Sequence, residues 1–217
     1  LTVFRPDMSA EARHSAAKDM MVRVGLDATL VNRYPHELSG GQNQRVGIAR
    51  AMILGPKLVV CDEAVSALDV SVQAQIIDLL IELQKDLGLT LLFISHDLSV
   101  VREISHRIMV LYLGRVVEQA RRDALFEDPR HPYTRALLAA APIPDPAREK
   151  ARNRSLLTGD LPSPLDARAG LRFLKSKLDE GEDIYRPQLI EVAPAHWVAE
   201  HDAFEDRPAL YAERIDA

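Results

Sequence analysis

Two short apolar runs, Leu58-Val59-Val60-Cys61 and Leu89 to Ile94, constrain this chain more than any other feature. Each ends abruptly in polar residues, Asp62-Glu63 after the first and Ser95-His96-Asp97 after the second. Near-continuous apolarity, rather than alternation, predicts strands covered on both faces, as in a parallel sheet. Between the runs, Asp69 and Ser71 stand where a helix cap belongs, and Ile76, Ile77, Leu80, Ile81 and Leu83 fall at helical spacing before Gly88. Strand, amphipathic helix and strand make a parallel crossover unit, so the fold class is α/β. Open parallel sheets bind their ligands beyond the carboxyl ends of the strands, where both polar endings lie.

The flanks add further elements. Met8 to Val24 has apolar residues at mixed three and four spacings and predicts a helix that Gly25 ends. Asn32 to His36 predicts a loop, because Pro35 forces its predecessor into an extended conformation. Ser39 is placed to cap a helix over Gly40 to Ile53 that offers Val46, Ile48, Ala49 and Ile53 for burial, and Gly55-Pro56 stops it. A short helix over Ser99 to Ile104 precedes two strands, Arg107 to Tyr112 and Arg115 to Glu118, joined through Leu113-Gly114. From Arg121 onward, prolines at 129, 132, 142, 144, 146, 162 and 164 predict an appended tail of short helices and loops.

Composition excludes several functions. Lys and Arg number 27 against 32 Asp and Glu, a net charge of -5, which is a poor basis for gripping nucleic-acid phosphates. The single cysteine, Cys61, leaves no disulfide framework or multi-cysteine metal site and suits a reducing compartment. No apolar run approaches the roughly 20 residues of a membrane span, and no signal-peptide pattern opens the chain. The first residue is Leu, which reads as a start inside a longer reading frame.

Three places carry chemistry. In Leu38-Ser39-Gly40-Gly41-Gln42, two glycines allow close backbone approach, and the helix start aims unpaired N–H groups and a positive dipole end at the same place, which suits a phosphate. By itself such a stretch is more often a cap and a tight turn. Asp62, at the end of a buried strand, is placed to hold Mg²⁺ through water, and Glu63 beside it to orient or deprotonate an attacking water. Alone, an Asp-Glu pair is more often two solvated carboxylates. His96, at the end of the next strand, can reach a terminal phosphate, although a lone histidine is more often structural.

The order and spacing of these pieces outweigh the separate bland readings. Leu38 to Gln42, the strand ending Asp62-Glu63, Ser66-Ala67-Leu68-Asp69 and Ser95-His96-Asp97 together resemble the ATP-binding cassette ATPases, over about Val24 to Glu118. Cys61 to Gln73 and Phe93 to Asp97 look like the dipeptide, oligopeptide and glutathione importers of that superfamily, and Asp128 to Thr134 is similar to their C-terminal extension. Ala64 stands where many relatives carry proline, which tilts the likeness towards the glutathione branch.

The resemblance implies a partial P-loop NTPase fold. Residues 1–57 would be a helical subdomain with the signature motif, 58–120 part of the ATPase core, and 121–217 an irregular α+β extension. It further implies that Ser39, Gly40, Gly41 and Gln42 contact ATP held by a partner domain, and that Ser66 and Asp69 form the loop that speaks across the dimer. Asp62 belongs to the Mg²⁺ site, Glu63 is the catalytic carboxylate and His96 the switch histidine. The implied cofactors are ATP and Mg²⁺. The implied partners are a second ATPase domain, two membrane permease subunits and a periplasmic substrate-binding protein, with no nucleic acid, at the cytoplasmic face of a bacterial inner membrane.

Two departures qualify this likeness. The family's phosphate loop, Gly-x-x-x-x-Gly-Lys-Ser/Thr, is not found in these 217 residues, which contain no Gly-Lys pair, nor is the glutamine loop. The residues therefore read as the downstream part of a cassette, expected to bind ATP weakly alone and to leave apolar surface open. In the tail, Leu171, Lys177, Ile184 and Glu200 stand where many relatives carry cysteines, so no iron–sulfur cluster is expected, and Trp197 reads as packing. Two functions follow: the ATP-hydrolysing subunit of a peptide or glutathione importer, or a truncated, non-catalytic cassette that only completes a partner's site. A chromosomal or translational ATPase fits less well, since long heptad arms and basic patches are lacking.

Overall fold

A computed structural model describes residues 1–141, 166–181 and 184–202, which fall into two compact units, Leu1–Ile104 and Ser105–Ala217. The prolines at 142, 144, 146, 162 and 164 lie outside the described residues.

The first unit opens with helix α1 (Ala10–Arg23), capped by the Ser9 hydroxyl, which accepts from the Ala12 N–H. Gly25, at φ 74°, carries the chain away. Two 3₁₀ turns, Ala28–Asn32 and Pro35–Glu37, lead to helix α2 (Gly40–Met52). Strand β1 (Leu58–Asp62), helix α3 (Val70–Leu87), strand β2 (Thr90–Ile94) and helix α4 (Leu98–Ile104) complete the unit. β1 and β2 pair in parallel, with Leu58 opposite Thr90 and Asp62 opposite Ile94, so the crossover unit forms as the sequence predicts. α3 ends at Gly88 in the left-handed conformation (φ 60°), which costs glycine no steric strain.

The core gathers Val24, Met52, Ile76, Ile77, Leu80 and Leu83, each at most 2% exposed. Burying one such side chain contributes about 1.5–3 kcal/mol. Two expectations fail here. Val46 is exposed and Met52 is buried in its stead, because the inward stripe of α2 runs through Ile48, Ala49 and Met52. β1 and β2 are covered on one face only. Val59 and Cys61 face the core, whereas Leu58, Val60, Leu92 and Ile94 are exposed. Apolar side chains on both faces thus mark a surface suited to burial, not one covered within this unit.

Arg45 ties α2 to α1, donating from Nη1 to the Val24 carbonyl at 2.7 Å. A Cβ on Gly25 would lie 2.9 Å from that nitrogen, so glycine serves both the turn and the approach of the guanidinium.

The second unit holds strands β3 (Arg107–Tyr112) and β4 (Arg115–Arg121) and helices α5 (Arg122–Glu127), α6 (Pro132–Ala140) and α7 (Lys175–Asp179). Strands β5 (Leu189–Ala193) and β6 (His196–Ala199) follow. Its antiparallel sheet runs β3-β4-β6-β5. Leu113 and Gly114, at φ 47° and 77°, make the β3–β4 turn that a tight hairpin requires. β4 continues past Glu118 to Arg121, where Gln119, Ala120 and Arg121 pair with Met109, Ile108 and Arg107 of β3; on its other edge Glu118 and Gln119 pair with Val198 and Trp197 of β6. The β6 partner comes from tail residues nearly eighty positions away, beyond the reach of local patterning.

Glu118, wholly buried, accepts hydrogen bonds from the Arg130 N–H at 2.7 Å and the His131 N–H at 3.0 Å, and lies 2.7 Å from His196 Nε2. One carboxylate thus joins β4, the start of α6 and β6. Beside it, Tyr112, Tyr133 and His131 pack around Phe173. His131 Nδ1 accepts from the Tyr133 N–H, capping α6. Burial, then the positive charge of His201 and Arg135, pushes the His131 pKa down to about 3. Trp197 is partly exposed on β6. Leu171 is buried, Lys177 pairs with Glu180, Ile184 is exposed, and Glu200 accepts from the Tyr185 hydroxyl.

Candidate functional site

The site residues all lie in the first unit. Ser39 is the N-cap of α2 and forms a reciprocal box with Gln42. The Gln42 N–H donates to Ser39 Oγ at 3.3 Å, and the Ser39 N–H donates to Gln42 Oε1 at 2.9 Å. The amides of Gly40 and Gly41, in the first turn, have no intrahelical acceptor by helix geometry. They are the donors the turn can offer an anion. Asn43 braces the approach, donating from Nδ2 to the Pro35 carbonyl at 2.9 Å and the Leu38 carbonyl at 3.3 Å.

Both glycines also face protein. A Cβ on Gly40 would meet Leu68 Cδ2 at 3.7 Å, an ordinary contact, but one on Gly41 would lie 2.7 Å from Val72 Cγ1. Sequence reasoning assigned both glycines to ligand approach and missed the second demand on Gly41. Its signal is a β-branched residue three positions beyond a capping Asp69.

At the strand ends, Asp62 closes β1 and is exposed. Glu63 then takes a left-handed backbone, φ 49°, unusual for a side chain of that size and a form of strain that gathers at functional sites. Its N–H donates to the Ile94 carbonyl at 3.0 Å, and its own carbonyl accepts from Ser66 Oγ at 3.0 Å. This turn aims the carboxylate at the neighbouring strand end, where Glu63 Oε1 lies 2.8 Å from His96 Nδ1. Both side chains are open to solvent, His96 at 73% and Glu63 at 46% exposure.

The pair is electrostatically matched. The hydrogen bond from His96, then that from Ser66, holds the Glu63 carboxyl below its ordinary pKa, while the bond and charge of Glu63 raise His96. An ionised carboxylate only accepts, so His96 Nδ1 carries the proton and Nε2 is turned to other partners. The parallel register predicts this meeting, because Asp62 opposite Ile94 brings the residues just beyond them side by side.

Asp69 caps α3, accepting from the Val72 N–H at 3.0 Å and Ser71 Oγ at 2.6 Å. Asp97 accepts from the Ser99 N–H and hydroxyl at the start of α4, and lies 3.5 Å from Gln73 Nε2 of α3. Among the described residues no group of three or more His, Cys, Asp or Glu is placed to hold a metal by itself. Mg²⁺ needs less than that, since it keeps its waters and takes one or two carboxylates besides substrate phosphates. Exposed Asp62 fits that demand.

Comparison with known proteins identifies the family. The ABC transporter family model matches residues 1–66, and the oligopeptide/dipeptide transporter C-terminal region matches residues 117–176. The oligopeptide transport ATP-binding protein OppF of Escherichia coli K12 is 55% identical over 173 residues, covering 80% of this chain and 52% of that protein. OppF of Haemophilus influenzae is 48% identical over 201 residues, 92% of this chain and 60% of that protein. The glutathione import ATP-binding protein GsiA of Pectobacterium atrosepticum is 50% identical over 182 residues, 84% of this chain and 27% of that protein. The chain therefore spans only part of the length of the curated relatives it matches.

Among solved structures, cbiO1 of Clostridium perfringens, part of an ABC transporter complex, matches 56% of this chain and 48% of its own at 30% identity, with a TM-score of 0.51. The mixed α/β fold is that of an ATP-binding cassette. With both family models matched in chain order, the chain belongs to the ATP-binding cassette proteins of the oligopeptide and dipeptide transporter group.

Proposed function

We propose that these residues form the signature-bearing and hydrolytic part of an ATPase that energises import of peptides or glutathione across a bacterial inner membrane. The observation that carries this reading is the Glu63–His96 pair, 2.8 Å apart beyond the carboxyl ends of two parallel strands.

The geometry supports a role for each residue. Glu63, kept ionised, orients an attacking water; its lowered proton affinity makes it a better orienter than base. His96, its basicity raised by Glu63, presents Nε2 to a terminal phosphate as a donor over a wider pH range. Asp62 would hold Mg²⁺ through water, and that ion, when bound, neutralises phosphate charge. The Gly40 and Gly41 amides, with Ser39 and Gln42, face the triphosphate held by a second cassette, and the Ser66–Asp69 loop lies against that partner. In phosphoryl transfer such positioning and charge neutralisation make up most of catalysis.

On this reading, residues 1–57 are the helical subdomain, 58–120 part of the ATPase core and 121–217 the importer-type extension. The partners are a second cassette, two permease subunits and a periplasmic binding protein, at the cytoplasmic face of the membrane. No helix among the described residues is long and apolar enough to cross a membrane. The 217 residues contain no Gly-x-x-x-x-Gly-Lys-Ser/Thr stretch, so by themselves they are expected to bind ATP weakly.

In the assembled transporter, Glu63→Gln and His96→Ala each lower ATP turnover by about 10²–10³-fold, the usual loss for one preorganised group. Steady phosphate release by Glu63→Gln at the parent rate would overturn the proposal.

A further inference from the structure

We infer that Val72, in the first turn of α3, is the positioning residue that sets where the glycine amides of the signature turn lie. The inference rests on the signature reading above and adds to it a mechanical partner within the same chain.

The contact leaves no slack. A Cβ on Gly41 would sit 2.7 Å from Val72 Cγ1 and 3.9 Å from both Val72 Cβ and Cγ2. Carbon atoms pack at about 3.5–4.0 Å, so relief requires an opening of roughly 1 Å. Val72 cannot rotate away cheaply, because a β-branched side chain in a helix keeps one dominant rotamer. Nor is its backbone loose: the Val72 N–H donates to the capping carboxylate of Asp69 at 3.0 Å. The side chain also packs against the unit's core.

The two helix starts therefore index each other. α2 presents bare backbone, and α3 presents a stiff methyl held by the cap at Asp69. Leu68, in the loop that Asp69 ends, faces Gly40 more loosely: a Cβ there would meet Leu68 Cδ2 at 3.7 Å, an ordinary contact. A shift of the Ser66–Asp69 loop is thus passed through Val72 to the donors at Gly40 and Gly41. Electrostatic donors act only when aimed within a few tenths of an ångström, and a misplacement of 1 Å costs on the order of 10² in rate. Helix propensity favours alanine over glycine at position 41, so a loss on Gly41→Ala points to the contact and not to the helix.

The test is a size swap in the assembled ATPase, with turnover and the binding of a fluorescent ATP analogue measured together. Gly41→Ala is expected to lower turnover about 100-fold and to weaken analogue binding with it, since the Gly41 amide faces the triphosphate. Adding Val72→Ala to it is expected to restore turnover to within about threefold of Val72→Ala alone. A double variant no better than Gly41→Ala overturns the positioning role. If Gly41→Ala accumulates too poorly to assay, the double variant decides: folded and active supports the inference, and unfolded or inactive overturns it. Ser39→Ala separates the two layers. If it loses turnover while the swap fails to rescue, only the role of Val72 falls. If Ser39→Ala and Gly41→Ala both turn over ATP at the parent rate, the signature reading falls and this inference with it.

Discussion

Each unit of the molecule holds a histidine–glutamate pair of nearly the same length, 2.8 Å for His96–Glu63 and 2.7 Å for His196–Glu118, in opposite surroundings. The first pair stands in solvent on a left-handed turn at the end of a strand. The second is sealed inside a sheet, with two backbone amides on the same carboxylate. Identical chemistry thus serves two ends. A buried carboxylate must have its bonding capacity filled, and once filled it welds elements together. An exposed one spends little on desolvation and stays available to a ligand.

The largest effect that tests this contrast is Glu118→Ala. It leaves two amides and an imidazole without their acceptor in the interior, so unfolding by urea should show a loss of about 3–5 kcal/mol. Glu118→Gln keeps one acceptor oxygen and should fall between parent and alanine. If Glu118→Ala melts like the parent, the clasp is not structural.

Acid should loosen the second unit next. His131 titrates at about 3 when folded and near its ordinary 6.5 when unfolded, so the unfolded chain binds the extra proton first. Its contribution is complete above pH 6.5 and is lost as pH falls towards 3, at a slope of up to about 1.4 kcal/mol per pH unit. His131→Asn retains a capping oxygen for the Tyr133 N–H and should flatten that slope between pH 6.5 and 4 in denaturation series.

The smallest effects belong to the exposed pair. Glu63→Gln should leave the melting temperature unchanged, in contrast to Glu118→Gln. NMR titration should place His96 above 6.5 in the parent and return it towards 6.5 in Glu63→Gln. Any stability from the raised His96 pKa is present below 6.5 and fades as pH rises through the folded value. Added salt should reduce the shift.

Much of this was legible in the residues. The strands at Leu58 and Thr90, the capped helix from Gly40 and the turn at Leu113-Gly114 follow from local chemistry, and the structure returns them within a residue or two. The chemical residues Glu63 and His96 stood out because polar residues closing apolar strands are conspicuous. What stayed hidden was long-range. Glu118 reads as an ordinary strand-end carboxylate until His196, seventy-eight positions on, closes over it. Gly41 reads as a ligand-facing glycine until Val72 arrives from another helix. The open face of Leu58, Val60, Leu92 and Ile94 had the pattern of a doubly covered sheet, because a sequence records what a surface is built to meet and not which segment meets it.

The pairing of β4 with β6 has a consequence for truncation of the tail. Because Glu118 and Gln119 draw part of their ladder from Val198 and Trp197, the C-terminal segment is woven into the hairpin and does not hang from it. Clipping it would bare a ready strand margin, an invitation to sticking between molecules. Residues that look like an appendage in the sequence thus act as a seal, and the hairpin depends on them to close its margin.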